Sequence, residues 1–282
     1  MEGLYKTDIK EFKLLKRGKV RDIYEIDGNL LIIATDRISA FDRVLKTPIP
    51  GKGKILTKIS LFWFKHTSDI IENHLITGNF EEFPDKLKKY DVLRDRSILV
   101  RKAEVLPYEF IVRGYLAGSL YEKYKKGEIT FKKHLSEFDR LPEPLFTPTT
   151  KSEVGHDMPI SFENMKEELS EDLALYLRDL SFKLYKRGEE IASQKGITIL
   201  DTKFEFGKIK DKIILIDEVL TPDSSRYRAL ENEGPVKLDK QILRDYLKEE
   251  EAKRGTMPDT IPQDIVDKLL SAYKKLQYIL LR

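Results

Sequence analysis

One short stretch, Leu215–Tyr227 (LIDEVLTPDSSRY), constrains this chain most. An apolar, β-rich run leads straight into two carboxylates, Asp217 and Glu218. A turn follows at Thr221-Pro222-Asp223, then two hydroxyls, Ser224 and Ser225, and a guanidinium, Arg226. A strand end that presents acid, hydroxyl and guanidinium so close together suits a metal ion beside an anionic substrate. Upstream, Thr202–Gly207 (TKFEFG) reads as a second strand, with Lys203 and Glu205 on the same face as residues 199 and 201. The two strands predict a hairpin that holds a metal-bound nucleotide. Lys203 opposite Asp217 would bring Lys203, Glu205 and Asp217 together and leave a short loop at Gly207–Lys212. A slip of one residue would present Glu218 instead. The sequence leaves both registers open, and it also allows a plain cross-strand Lys–Asp pair of little energetic value.

The bulk numbers narrow the chemistry. A chain of 282 residues suffices for one large domain or two ordinary ones with a sizeable core. Its 51 basic and 48 acidic side chains nearly cancel, so charge gives no argument for nucleic acid or a membrane surface. The absence of cysteine excludes disulfides, thiolate zinc sites and cysteine nucleophiles. The four histidines lack metal-ligand spacing, so the expected metal is a hard cation held by carboxylates, with magnesium first. No apolar run reaches membrane-spanning length, and the N-terminal MEGLYKTDIKEF lacks the apolar core of a signal peptide. The expectation is a cytoplasmic protein acting on small molecules, with no nucleic acid and no membrane among its partners. Monomer and homo-oligomer both remain open.

Several other stretches carry chemistry. Leu14–Ala34 reads as a hairpin around Asp27-Gly28-Asn29. Gly18 with Lys19 and Arg21 on one strand face suits a cover over phosphates, though most such clusters are a solvated basic edge. Thr35–Asp42 (TDRISAFD) follows a strand directly, where Asp36, Arg37, Ser39 and Asp42 can meet a substrate, or Asp36 can simply cap the turn. Ile55–Thr67 has the spacing of a core helix. Ala103–Pro107 is a candidate link between lobes. Arg113–Ser119 (RGYLAGS) predicts a phosphate site beside a helix whose N-cap is Ser119, or an ordinary glycine turn. Leu141–Ile160 is Pro- and Thr-rich without periodicity, with Lys151, Glu153, His156 and Asp157 as charged candidates. Met165–Lys195 predicts one long amphipathic helix ended by Gly196. The tail, Leu238–Arg282, predicts two packing helices. Lys240 and Arg244, four apart on the first, could reach a phosphate, with solvated charge the favoured reading.

Four stretches together, GKVRDIY, DRISAFD, VRGYLAGS and the pair TKFEFG with LIDEVLTPDSSRY, resemble the SAICAR synthetase family, and the match runs in order from about Gly18 to the C-terminal helices. The resemblance implies ATP-driven joining of L-aspartate to the carboxylate of carboxyaminoimidazole ribonucleotide, with ADP and phosphate released, a step of purine biosynthesis. It implies an α/β (α+β) fold with a two-lobed, ATP-grasp-like nucleotide site. Antiparallel sheets and C-terminal helices belong to that picture, with boundaries near 1–105, 106–237 and 238–282. Carried over by motif, Lys19, Arg21, Lys203 and Glu109 would bind ATP, and Glu205 and Asp217 would hold Mg2+. Arg113, Ser119, Ser225 and Arg226 would bind the ribonucleotide. Lys151, His156 and Asp157, in a KxExGHD-like loop, would line the aspartate or ribonucleotide site. Lys203 and Asp36 would be the catalytic pair. Two departures stand out: Met158-Pro159 where the family commonly has Glu-Asn, and Arg228 where a tryptophan is frequent. The residues taken alone also allow a small-molecule kinase, a nucleotide-binding regulatory module, or an RNA binder, the last disfavoured by balanced charge.

Overall fold

The computed structural model describes residues 2–151, 157–231 and 234–282. Its architecture is α+β, built on two antiparallel sheets. The N-terminal sheet has five strands in the order Lys13–Arg17, Arg21–Ile26, Asn29–Ala34, Ser97–Arg101, Leu75–Thr77. Its central hairpin turns at Asp27-Gly28, where both residues have positive φ, 49° and 79°. A two-residue Asp-Gly loop with that backbone matches the twist of the flanking strands.

The second sheet is organised around one long strand, Ile197–Ile209. It pairs with Tyr108–Tyr115 on one side and Ser225–Glu231 on the other, and its end pairs with Lys212–Ile216. The helix Glu171–Gln194 packs on this sheet through Leu177, Leu180, Leu184 and Tyr185, all buried. The expected single helix over Met165–Lys195 is two, Phe162–Leu169 and Glu171–Gln194. Ser170 separates them with φ 95°, and its hydroxyl caps the second helix at Leu173 N. Apolar periodicity runs through that break because both helices bury the same side, so the sequence pattern hid it.

The two sheets are joined where residues 72–74 run beside Lys212–Ile216. Leu215 N donates to Glu72 O at 2.9 Å and His74 N donates to Leu215 O at 3.0 Å. The predicted link also pairs with the long strand, Glu104–Val105 lying against Gly207 and Lys208. The helix Lys52–His66 packs against the C-terminal helix Gln263–Leu281. Among the described residues, no helix is long and apolar enough to cross a membrane.

Candidate functional site

Two cavities, each of about 290 Å³, lie on either side of the long strand's charged face. The first is walled by Ile23, Leu30 and Ile32 of the N-terminal sheet and by Ala103, Val105 and Pro107 of the link. Glu205, Asp217 and Lys151 stand at its polar end. The second is almost wholly polar. Arg113, Arg226, Arg244, Lys203, Lys240 and Lys19 supply its cations, and Asp201, Asp223, Asp42, Asp157 and Glu109 its acids.

The hairpin that positions the first cavity has the slipped register. Glu205 pairs with Ile216 and Phe206 with Leu215, one residue away from the pairing that sets Lys203 opposite Asp217. Strand alternation alone would then turn Asp217 away from Glu205. The chain avoids this because Asp217 leaves the strand with φ 67°, a left-handed kink that re-aims its side chain. Asp217 and Glu205 therefore both line the first cavity, while Asp217 and Glu218 are bridged by Arg21. Arg21 Nη2 lies 2.6 Å from Glu218 Oε1. Glu205 pairs with Lys151, and Lys203 with Glu109. Burial acts most strongly on Glu205 and raises its pKa, yet Lys203 and Lys151 outweigh it and hold the carboxyl below its ordinary value. On Lys203 burial again acts most strongly, here downward, and Glu109 and Glu205 reverse it, keeping the ammonium charged.

In the second cavity Asp201 organises two arginines. Arg113 Nη1 donates to Asp201 Oδ2 at 3.2 Å and Arg226 Nη1 donates to the same oxygen at 2.5 Å. Arg113 also donates to Thr147 Oγ1 at 2.9 Å and to Ser119 Oγ at 3.3 Å. Ser119 is not the N-cap: the helix is Gly118–Lys125 with Ala117 at its cap, so the hydroxyl faces Arg113 instead. Gly118 is required there. Its φ is 56°, and a Cβ would lie 2.6 Å from Arg226 Cζ. Two guanidiniums beside a helix N-terminus, with one carboxylate between them, make a ready site for a phosphate dianion. Ser225 lines this cavity, with its hydroxyl 2.8 Å from Thr202 Oγ1.

Lys240 and Arg244 correct the expectation of solvated charge. Both line the second cavity, and Lys240 is only 9% exposed. Burial pulls the Lys240 ammonium down to about 8 despite the opposing pull of Asp223. Asp223, which read as a turn residue, is a buried hub. Lys52 Nζ lies 2.7 Å from its Oδ2, and Tyr273 OH donates to its Oδ1 at 2.7 Å. The signals were present in the sequence. Asp201 shares the face of Lys203 and Glu205, and Lys240 and Arg244 have the i, i+4 spacing of one helix face. Nothing local distinguished them from surface charge.

Asp36 is the clearest departure. It is 1% exposed and does not line either cavity. Its Oδ2 accepts from Leu4 N at 2.8 Å, and its Oδ1 accepts from Gly53 N at 2.9 Å and Arg96 Nη1 at 3.1 Å. A carboxylate so fully engaged ties the N-terminus to the start of a helix and is not available to take a proton from a substrate. Lys19 pairs with Asp42 and faces the second cavity, away from the apolar walls of the first. Glu109 likewise faces the second cavity. Lys151 faces the first and Asp157 the second, while Glu153 and His156 lie outside the described residues. Arg228, where the family favours tryptophan, stacks its guanidinium 4.3 Å from the Phe138 ring centroid, a packing role.

Known proteins resemble this chain over nearly its whole length. The family described as SAICAR synthetase matches residues 14–260. The phosphoribosylaminoimidazole-succinocarboxamide synthase of Thermodesulfovibrio yellowstonii is 52% identical, over 97% of this chain and 97% of that protein. The enzyme of that name from Syntrophobacter fumaroxidans is 47% identical, over 95% and 92%. Among solved structures, the SAICAR synthase from Saccharomyces cerevisiae complexed with SAICAR superposes with TM-score 0.84 at 41% identity, covering 98% of this chain and 97% of that one. A SAICAR synthetase in complex with ADP has TM-score 0.72 at 25% identity, covering 94% and 96%.

Proposed function

The chain belongs to the SAICAR synthetase family, and from that premise we propose how its two cavities divide the work of joining L-aspartate to carboxyaminoimidazole ribonucleotide with ATP. The observation that carries the reading is the seam. Glu109, Lys203 and Glu205 stand on adjacent strands, with an apolar cavity on one side and an arginine-rich one on the other.

The apolar cavity takes the nucleotide. Its aliphatic walls suit a purine base, and the link residues Ala103–Pro107 offer backbone groups at its edge. Arg21, Lys151 and Lys203 neutralise phosphate charge. Arg113, Ser119, Ser225 and Arg226 take the ribonucleotide phosphate, with Lys240 and Arg244 adding positive charge for the substrate carboxylates. A carboxylate oxygen is a poor leaving group. Transfer of the γ-phosphoryl group would convert it to an acyl phosphate, the amine of aspartate would form the new C–N bond, and phosphate would leave as the C–O bond breaks. Here positioning and charge neutralisation do most of the catalysis. Lys203, charged and set on the seam, serves the transferring phosphoryl group. Lys19 reaches it from the other rim.

Magnesium is part of the proposal. Among the described residues no group of three or more acids or histidines makes a metal cage. Glu205 and Asp217 nonetheless fit the cation, because magnesium is commonly held by one or two carboxylates together with substrate phosphates. Both carboxylates are paired with cations, Lys151 and Arg21, that can move to the phosphates of an arriving nucleotide. When bound, the metal would offset charge on the phosphate oxygens. A cytoplasmic setting, where ATP and L-aspartate are both at hand, completes the reading.

The test is ADP release by purified protein with magnesium ATP and carboxyaminoimidazole ribonucleotide, with and without L-aspartate. Turnover that needs all three and yields the succinocarboxamide is the expected result. ADP release with the ribonucleotide alone, and a stable phosphorylated product, would indicate a kinase instead.

A further inference from the structure

The second cavity is lined mainly by charged and hydroxyl-bearing residues. Among the described residues that line it, Ala40, Phe41 and Ile111 are the apolar ones. Ile111 lies on the floor strand, between Glu109 and Arg113 and opposite Lys203. Phe41 comes from the other side, at the tip of the small hairpin in which Ser39 pairs with Val44 and Ala40 with Arg43. It is 38% exposed, so its ring is accessible from the cavity.

The backbone at that tip is unusual. Phe41 and Asp42 are both left-handed, with φ 50° and 58°. A two-residue hairpin loop demands this conformation, and the N-terminal sheet meets the same demand with Asp27-Gly28. Phenylalanine is a poor residue for it, since its Cβ crowds the following carbonyl. Strain of this kind persists where the surroundings enforce it, and it clusters at ligand sites. The surroundings here do enforce it. Arg43 Nη1 donates to Met257 O at 3.0 Å, Lys46 N donates to Asp259 O at 2.8 Å, and Asp42 is tied to Lys19. The hairpin is pinned on its outer side, and the strained tip holds one large aromatic ring against an otherwise charged cavity.

We propose that Phe41 is a specificity-determining residue whose ring stacks on the flat five-membered heterocycle of the ribonucleotide, with Ile111 as the opposite wall. This rests on the functional reading above and adds to it. The cations hold the phosphate and carboxylates of the substrate, but none of them recognises an aromatic plane. A heteroaromatic ring gains its affinity from stacking and from exclusion of water, and Phe41 and Ile111 are the large apolar side chains among the described residues of this cavity.

The experiment compares Phe41→Gly, Phe41→Leu and Phe41→Tyr with the unsubstituted chain. Calorimetry would measure binding of carboxyaminoimidazole ribonucleotide, of ribose 5-phosphate, which lacks the heterocycle, and of ADP. Stacking predicts that Phe41→Gly loses ~10-fold in ribonucleotide affinity. Ribose 5-phosphate and ADP would bind as before. Phe41→Leu would fall between, and Phe41→Tyr would stay within ~2-fold, because the aromatic face is retained. The ligand-free Phe41→Gly protein should melt no lower than its parent, since glycine relieves the left-handed strain. Unchanged ribonucleotide affinity in Phe41→Gly would overturn the inference while leaving the functional reading intact. An equal loss for ribose 5-phosphate would overturn it too, by showing a collapsed cavity. Failure of the unsubstituted chain to bind the ribonucleotide would overturn the functional reading and this inference together.

Discussion

The two cavities are nearly equal in volume and opposite in character. One is built by bringing aliphatic strand faces together across a sheet junction, with a few charged side chains, Glu205, Asp217 and Lys151 among them, on its lining. The other is built of charge, with six basic and five acidic side chains and three apolar ones among its described residues. On the proposed division of labour, the difference matches what each cavity would hold. A nucleotide brings a large apolar base, and its phosphates need only the far end. A sugar phosphate with several carboxylates nearby needs cations on every side, and those cations must be kept apart before the substrate arrives. The acids serve that purpose. Asp201 separates Arg113 from Arg226, Asp223 faces Lys240, and Glu109 holds Lys203. A fixed, pre-oriented array costs little reorganisation when charge moves during reaction.

Removing carboxylates from the seam should break both halves of the comparison at once. Glu205→Gln or Asp217→Asn is expected to lower turnover by about 10²–10³-fold, the scale seen when one electrostatic group is removed from a reacting centre. Both variants should still bind the ribonucleotide by calorimetry. Loss of ribonucleotide binding would mean that the two cavities do not act separately.

A more selective change should damage one cavity alone. Arg113→Leu leaves Asp201 buried with one partner and removes a guanidinium from the phosphate site. An expected loss of about 2–5 kcal/mol in ribonucleotide binding follows from truncating one member of a buried charge pair. ADP affinity should not change. A parallel fall in ADP affinity would contradict the division of labour.

The apolar cavity makes its own prediction, through acid stability. His74 lines it, is 3% exposed, and burial drives its pKa from 6.5 down to about 3. The imidazole is neutral in the fold and takes up a proton in the unfolded chain below pH 6.5. The unfolded state then binds more protons, so stability falls as pH falls from about 6.5 towards about 3. The slope from this one group approaches about 1.4 kcal/mol per pH unit. Urea unfolding at several pH values should show that slope in the parent and a shallower one in His74→Phe.

The smallest expected effect belongs to Lys240. With a pKa of about 8, it is charged below that pH and neutral above it. The groups that act on it are Asp223, Arg244, Lys52 and Glu218. Affinity for the anionic ribonucleotide should therefore decline several-fold as pH rises through about 8, the scale of one partly compensated charge contact. In Lys240→Met the profile should be flat over that range. A decline of the same size in the variant would assign the titration to another group.

How much of this was legible in the sequence follows from the range over which each signal acts. The hairpin strands and their chemistry, Lys203, Glu205 and Asp217, follow from local alternation and from motifs that survive without knowing the fold. The register did not follow, because either pairing presents an acid beside Glu205, and the kink that re-aims Asp217 leaves no local mark at a non-glycine. The buried role of Asp36, which the sequence held open beside a substrate contact, was hidden for a related reason. A carboxylate in a loop after a strand looks the same whether it faces a substrate or accepts hydrogen bonds from three distant segments. Lys240 and Arg244 read as surface charge because their burial is created by strands some distance back in the chain. Asp223 is held by Lys52 and Tyr273, each far away in sequence. The break at Ser170 was hidden by a shared apolar face.

The most direct test is a crystal structure of the protein with ADP, magnesium and carboxyaminoimidazole ribonucleotide bound together. The account predicts the adenine base between the N-terminal sheet and Ala103–Pro107. It predicts the ribonucleotide phosphate on Arg113, Ser119 and Arg226, and the two ligands meeting at Lys203 and Glu205. Both ligands in one cavity, or a ribonucleotide phosphate held away from Arg113 and Arg226, would contradict it.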